Sequence, residues 1–265
     1  MSAPENDNVW NALRDEVTSL ALSEPVLASY FHATVINHDT LEDSLSYLLA
    51  GKLSSLDLPA MSLREVLWQA FHSSADITDI TRKDLCATVD RDPAASSLAN
   101  PYLNHKGFHA LQAYRIAHWY WQQNRRALAL YLQSRISEVF GVDIHPAARI
   151  GSGVFIDHAT GLVVGETAVV GDNVSMLQEV TLGGTGKDTG DRHPKVERGV
   201  LICAGAKILG NIRIGAGSKV GAGSVVLEDV PPHCTVVGVP ARIVGHPGCA
   251  EPALAMDQEI ESGGE

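Results

Sequence analysis

The sequence predicts an α+β protein in which an all-helical domain, residues 1–140, precedes a parallel β-helix, residues 141–245, with a protruding loop and a flexible acidic tail, 246–265. Three observations carry this reading. Ile144, Ile150, Ile156, Leu162, Ala168, Val174 and Val180 stand six apart, and after a break Val196, Ile202, Ile208, Ile214, Val220 and Val226 do so again. A period of six fits neither the 3.6 of a helix nor the 2 of a flat strand, so it is read as a coil of short strands, one face per hexad and about 18 residues per turn. An ordinary β-sandwich would show period 2. The composition divides at the same place: of 24 glycines only Gly51 and Gly107 precede Gly141, whereas all four tryptophans and all six tyrosines precede residue 132.

Taken in order, residues 9–22 and 26–36 show helical spacing, with Pro25 between them because proline lacks the N–H a helix interior needs. Thr40 opens a third helix that Gly51 should terminate, and Ser62-Leu63-Arg64-Glu65 is a capping box for a fourth ending near His72. A fifth covers Asp76 to Val89, and the break follows at Asp90-Arg91-Asp92-Pro93, since proline disfavours helix in the residue before it. Gly107 to Asn124 and Ala127 to Phe140 complete the domain. Their aromatic residues read as interhelical packing, with a surplus suited to a dimer surface.

Within the coil, glycines such as Gly151, Gly165, Gly171, Gly215 and Gly221 follow an aliphatic residue, as corners require. A second apolar column, Val164, Val170, Met176 and Leu182, is offset by two, so the register changes near Asp157-His158-Ala159-Thr160-Gly161. Val180 to Val196 is no multiple of six, so Gly183 to Lys195 leaves the coil as a polar loop. Pro231, Pro232 and Pro240 close its far end, because proline cannot donate to a further ladder. The tail from Gly245 is rich in Pro, Gly and acid and reads as mobile.

Chemistry gathers where the pattern breaks. His158 sits at the register change, and Asp143 lies fifteen residues upstream, near one coil turn. A carboxylate orienting an imidazole is the base arrangement of acyl transfer; on spacing alone a buried structural pair is equally open. The loop brings Arg192 and His193 toward the coil, where a guanidinium fork could hold a carboxylate. Two apparent matches fail. Gly183 to Asp188 is no phosphate loop, with Thr181 in place of the first glycine and Asp188 in place of Ser or Thr. His145, His158 and His193 do not repeat with the coil, so no metal is expected.

A net charge of −11 argues against nucleic acid or an anionic membrane as the main partner. It divides as −5 over residues 1–140, −1 over 141–245 and −5 over 246–265, leaving a near-neutral coil whose basic side chains could meet an anionic ligand. No apolar run reaches membrane-spanning length, the start lacks a signal-peptide pattern, and Cys86, Cys203, Cys234 and Cys249 show no paired spacing. A soluble, cytoplasmic protein with reduced thiols is the expectation.

From LASYFHAT and LSYLLAGKLSS through KGFHALQAYRIAHW and VDIHPAARIGSG to DHATGLVVGETAVVGDNVSMLQEVTLGGTGK, GDRHPK, GAKILGNIRIG and GVPARIVG, the chain resembles the serine acetyltransferases, a family of hexapeptide-repeat acyltransferases. The resemblance implies a left-handed β-helix, trimers through the coil and a homohexamer, a dimer of trimers, through the helical domains. It implies acetyl transfer from acetyl-CoA as co-substrate to the hydroxyl of L-serine, the first step of cysteine biosynthesis, with L-cysteine as inhibitor and no metal.

Carried over residue by residue, it makes His158 the general base and Asp143 the group that orients it. Asp92 and Asp157 would receive the serine ammonium, and Arg192 and His193 its carboxylate. Amides of Gly183 and Gly184 are the choice for the oxyanion, and the CoA arm would pass Ala204, Lys219, Ala222 and Gly223. Many relatives end in isoleucine, which enters O-acetylserine sulfhydrylase; this chain ends in Glu265 with Ile260 five residues back, so that complex is not expected. The alternatives are an acetyltransferase for a sugar or antibiotic hydroxyl, and a non-catalytic scaffold for the sulfhydrylase.

Overall fold

The computed structural model describes residues 7–186 and 189–260. Lys187 and Asp188 of the loop, and residues 261–265, on which the expectation about a sulfhydrylase anchor falls, lie outside them. Helices α1 (Asn8–Ser23), α2 (Ala28–Phe31), α3 (Leu41–Leu53), α4 (Ala60–Ser73), α5 (Ala75–Arg91), α6 (Ala99–Asn104), α7 (Lys106–Gln122) and α8 (Arg126–Phe140) form the N-terminal domain. Pro25 starts a 3₁₀ turn between α1 and α2, as its missing N–H requires, and a π-helical turn follows over His32–Ile36. Thr40 caps α3 by accepting from the Asp43 amide.

Three boundaries differ from expectation. Gly51 does not end α3: burial of Leu48, Leu49 and Leu53 carries the helix past it. The Ser62 box lies inside α4, which begins after Pro59. Between α5 and α7 stands α6, hidden in the sequence by Asn100-Pro101; proline suits a first turn, and Tyr102 and Leu103 anchor the helix in the core. The aromatic surplus is also smaller than expected. Tyr114 and Tyr120 are buried within the chain, the first donating to Ala148 O and the second to Val66 O. Apolar side chains left exposed on this domain include Leu22, Val26, Tyr30, Met61 and Trp68.

The coil is three stacks of short parallel strands. One holds β1 (Val142–Ile144), β4 (Leu162–Val164), β7 (Thr181–Gly183), β10 (Lys207–Leu209) and β13 (Val225–Val226). The next holds β2 (Arg149–Ile150), β5 (Val169–Val170), β8 (Lys195–Val196) and β11 (Arg213–Ile214). The third holds β3 (Phe155–Ile156), β6 (Ser175–Met176), β9 (Leu201–Ile202), β12 (Lys219–Val220), β14 (Thr235–Gly238) and the antiparallel β15 (Ala241–Gly245). The hairpin β14–β15, rather than proline alone, covers the open end of this third sheet.

The apparent unbroken count from Ile144 to Val180 joins two physical columns. Ile144 stacks under Val164, Ile150 under Val170 and Ile156 under Met176, each twenty residues on, while Leu162 stacks on Val142. Later turns take eighteen residues, as Val163 under Thr181. The first turn therefore holds two extra residues at 157–161, equal to the offset between columns, so the count of six continues by coincidence. The loop adds eight: Val169 stacks under Lys195, twenty-six residues on.

The helical domain sits directly on the first turn. Gly107 of α7 is so close to β3 that a Cβ there would lie 2.1 Å from Ile156 O, so only glycine permits the approach. Beside it, α7 buries His109 completely; Nε2–H donates to Tyr102 O at 2.7 Å and Nδ1 has no partner among the described residues. Burial pushes this imidazole down to about 3. The unfolded chain then binds a proton that the folded chain refuses, so stability is complete above the ordinary histidine value of about 6.5 and is lost below it, at up to about 1.4 kcal/mol per pH unit. Urea denaturation between about pH 6.5 and 4.5 is expected to show this slope, shallower by up to one proton in His109→Phe.

The described part of the tail, up to Ile260, is not free as expected. Helix α9 (Pro252–Ala255) packs Pro252 and Ala253 on the coil, where Ala253 O accepts from Ser175 Oγ at 2.8 Å. Lys219 Nζ donates to Glu259 O and lies 3.5 Å from Asp257 Oδ2. Acidic composition suggested a mobile segment; pairing with this lysine and a small apolar contact hold it.

Candidate functional site

The five-residue corner between β3 and β4 is the most strained backbone of the coil. Asp157 N still bonds Met176 O, then His158 and Ala159 both take left-handed angles, φ 54° and 62°. Two successive non-glycine residues there cost roughly 1–2 kcal/mol each. The corner closes through Thr160 N to His158 O at 2.7 Å and Gly161 N to Gly141 O at 2.7 Å. The result is an imidazole standing outward, its side chain 73% exposed, on a rigid stack.

Around it lie the ends of two helices. Asp92 follows α5, its amide bonded to Thr88 O and its Oδ1 accepting from Ala94 N at 2.8 Å. Asp157 Oδ2 stands 3.8 Å from His158 Nε2. Burial pushes the Asp157 carboxyl up; His158 and His105 oppose the rise and the Asp92 charge adds to it. Lys106, opening α7, donates to Thr160 Oγ1. Asp92, Asp157 and His158 are thus brought together as the sequence predicts, with His105 and Lys106 as additions that no motif spacing announced.

Asp143 is not part of this group. It sits on the outer face of β1, and its Oδ1 accepts from Gln133 Nε2 of α8 at 2.7 Å. Among the described residues no hydrogen bond or ion pair links it to His158, whose acidic neighbour is Asp157. The fifteen-residue spacing was measured against an eighteen-residue turn, whereas this turn has twenty.

Arg192 and His193 stand at the next corner of the triangle, between the first and second sheets. Thr167 Oγ1 accepts from both their amides, at 3.0 and 3.1 Å. Thr167 N donates to His193 Nδ1 at 3.1 Å, which places the ring proton on Nε2. His193 lies over Gly165, where a Cβ would fall 2.0 Å from its ring. Burial, aided by the Arg192 charge, lowers its basicity, so the ring is a neutral donor. Arg192 Nη2 pairs with Glu166 at 2.8 Å, holding that carboxyl below its usual range. Glu166 was missed in the sequence because an exposed corner carboxylate carries no signature.

The predicted cofactor residues divide between the same two corners. Ala204, Ala222 and Gly223 continue the His158 edge in later turns, with Gly223 N bonded to Ala204 O at 2.8 Å and open space beside Gly223. Gly183 and Gly184 lie on the other edge, where a Cβ on Gly184 would meet Arg192 O at 3.4 Å. Lys219 is not open, being 3% exposed under the tail. No three His, Cys, Asp or Glu side chains converge as metal ligands among the described residues. One triangular face therefore carries an acidic imidazole site on one edge and an arginine–histidine anion site on the other.

Comparison with known proteins places the chain among relatives. Residues 9–113 match the family described as serine acetyltransferase, N-terminal, and 193–228 match the bacterial transferase hexapeptide repeats. Serine acetyltransferase of Escherichia coli (strain K12) is 57% identical over 98% of this chain and 95% of its own. The crystal structure of serine acetyltransferase from Vibrio cholerae O1 superposes with TM-score 0.94 at 58% identity, covering 95% of this chain and 98% of that one. Solved relatives include a complex with cysteine (TM-score 0.93, 55% identity, 96% and 98% covered) and a complex with coenzyme A from Brucella abortus (0.90, 52%, 92% and 98%). The soybean enzyme complexed with serine superposes at 0.89, with 57% identity over 91% of this chain and 100% of that one. With such identity along nearly its whole length, the chain belongs to the serine acetyltransferase family.

Proposed function

We propose that this protein is a serine O-acetyltransferase that moves acetyl directly from acetyl-CoA to the L-serine hydroxyl, giving O-acetyl-L-serine and CoA, as the first step of cysteine biosynthesis. The observation that carries the reading is His158, held outward on a strained corner beside the Asp92–Asp157 pair. The imidazole takes the hydroxyl proton as the oxygen attacks the thioester carbonyl. The tetrahedral intermediate then collapses, and the departing thiolate receives that proton. Asp92 and Asp157 hold the ammonium; Arg192 and the His193 Nε2–H hold the carboxylate; amides of the Gly183–Gly184 corner meet the oxyanion. The CoA arm follows the edge of Ala204, Ala222 and Gly223 toward Lys219, which the tail must release.

The two half-sites stand on different edges of one coil, which supports a trimer in which the Arg192–His193 edge of one copy meets the His158 edge of its neighbour. Asp143, on the face between, then orients His158 across that joint. Exposed Leu22, Val26, Tyr30, Met61 and Trp68 support pairing of trimers through the helical domains into a hexamer. L-Cysteine, sharing the ammonium and carboxylate of serine, competes for the same groups. All four cysteines are free thiols, in keeping with work in the cytoplasm; no described helix is long and apolar enough to cross a membrane.

Release of free CoA thiol from acetyl-CoA tests the reading. Release is expected with L-serine and not with a sugar hydroxyl or without acceptor. Turnover of the sugar alone would keep the base and discard the amino-acid site, and no turnover with any acceptor would leave a scaffold.

A further inference from the structure

The acidic pair has a neighbour that the mechanism above does not use. His105 precedes α7, its amide bonded to Pro101 O and its carbonyl accepting from His109 N. Its Nδ1 lies 3.7 Å from Asp92 Oδ2, and its Nε2 lies 3.4 Å from Asn100 Nδ2. The first distance is too long for a hydrogen bond and short enough for an ion pair once the ring is protonated. The ring is therefore poised on Asp92 without being fixed to it.

Its surroundings define what it can do. Asp92 faces it from the end of α5, neutral Asn100 from α6, and Asp157 and His158 from the β3–β4 corner. On α7, Lys106 is committed to Thr160, and His109 is buried with its proton on Tyr102 O. Among the described residues His105 is the imidazole within ion-pair distance of Asp92, as His158 is of Asp157. His105 acts on Asp157 also, opposing the rise that burial imposes there.

We infer that His105 is a positioning residue for the acceptor's ammonium, and that its protonation opposes acceptor binding. When neutral, it leaves both carboxylates to the ammonium and offers a ring nitrogen as a further acceptor. When protonated, it pairs with Asp92 and repels the incoming cation. A protonated ring paired with Asp92 thus competes with the acceptor's ammonium for the same carboxylate. The inference rests on the reading that Asp92 and Asp157 receive the ammonium.

Steady-state kinetics of the full-length protein with L-serine and acetyl-CoA, from about pH 6 to 8.5, test it. His105→Lys, a permanent cation, is expected to raise the KM for serine about tenfold or more throughout, with kcat and the KM for acetyl-CoA changing less than about threefold. His105→Asn, polar and uncharged, is expected to show a smaller rise in serine KM on acidification than the unmodified protein, and it decides the matter if the lysine variant does not fold. A merely structural residue would not separate the two KM values or alter the pH profile. Serine KM profiles in both variants that track the unmodified protein would overturn the inference. Asp92→Asn serves as the parallel control. If it leaves serine KM unchanged, the ammonium assignment itself fails; if it raises KM while His105→Lys does not, only the role of His105 falls.

Discussion

Replacing His158 by alanine is expected to lower kcat about a thousandfold, the contribution of a positioned general base. The KM for acetyl-CoA should change little, since the edge formed by Ala204, Ala222 and Gly223 does not depend on the ring. Because the side chain is 73% exposed and alanine keeps the Cβ at the same left-handed backbone, the thermal midpoint should stay near its original value. Thiol-release kinetics and a melting curve on the same preparation check both parts. A loss of activity under tenfold with intact folding would remove His158 from the base role.

The largest expected loss of stability follows from Asp84→Ala. This carboxylate is fully buried on α5 and serves three groups at once: Oδ2 accepts from Arg115 Nε at 2.7 Å and Gln112 Nε2 at 2.9 Å, and Oδ1 from Val154 N at 3.0 Å. Arg115 in turn donates to Ile150 O and Gly151 O, so α5, α7 and the first turn of the coil meet at one ion pair. Alanine leaves a buried guanidinium without its counter-charge and two donors without acceptors, at a cost of about 3–5 kcal/mol. Urea denaturation reads that loss directly. Thr81→Val, which removes only the bond to Gln112 Oε1, should cost about 1 kcal/mol. Since α5 delivers Asp92 to the corner, Asp84→Ala protein that still folds should also bind serine less tightly.

The architecture was legible because a six-residue period has so few structural solutions, and the loop was legible because Val180 to Val196 breaks that period. What stayed hidden was arithmetic of the same kind. Two added residues at 157–161 match the offset between the inner columns, so Leu162 looked like the successor of Ile156 when Val164 continues the row and Met176 stacks on Ile156. That same pair of residues spoils the estimate that placed Asp143 under His158. Asp92 and Asp157 became candidates for the ammonium through motif resemblance rather than physics, since each is an ordinary polar residue on a turn, whereas Arg192 and His193 were singled out by the loop that breaks the period. His105 and Glu166 carry no periodicity and no motif, and emerge only when helix ends and coil corners are set side by side. Lys219 reads as an open cation in one dimension, and only the path of the tail shows it covered.

The placement of the extra residues has a further meaning for how such a chain can change. Both additions, two at 157–161 and eight in the 184–194 loop, fall at corners, and every strand above them still stacks row on row. Length at a corner is thus independent of what the interior requires, whereas one residue lost within a strand would turn its inward side chain out and unseat the rows on either side. The polypeptide separates two kinds of inheritance: a strand grammar that tolerates almost no insertion or deletion, and corner segments free to lengthen, shorten and acquire new side chains. Both the acidic imidazole edge and the arginine–histidine edge are written in the second kind.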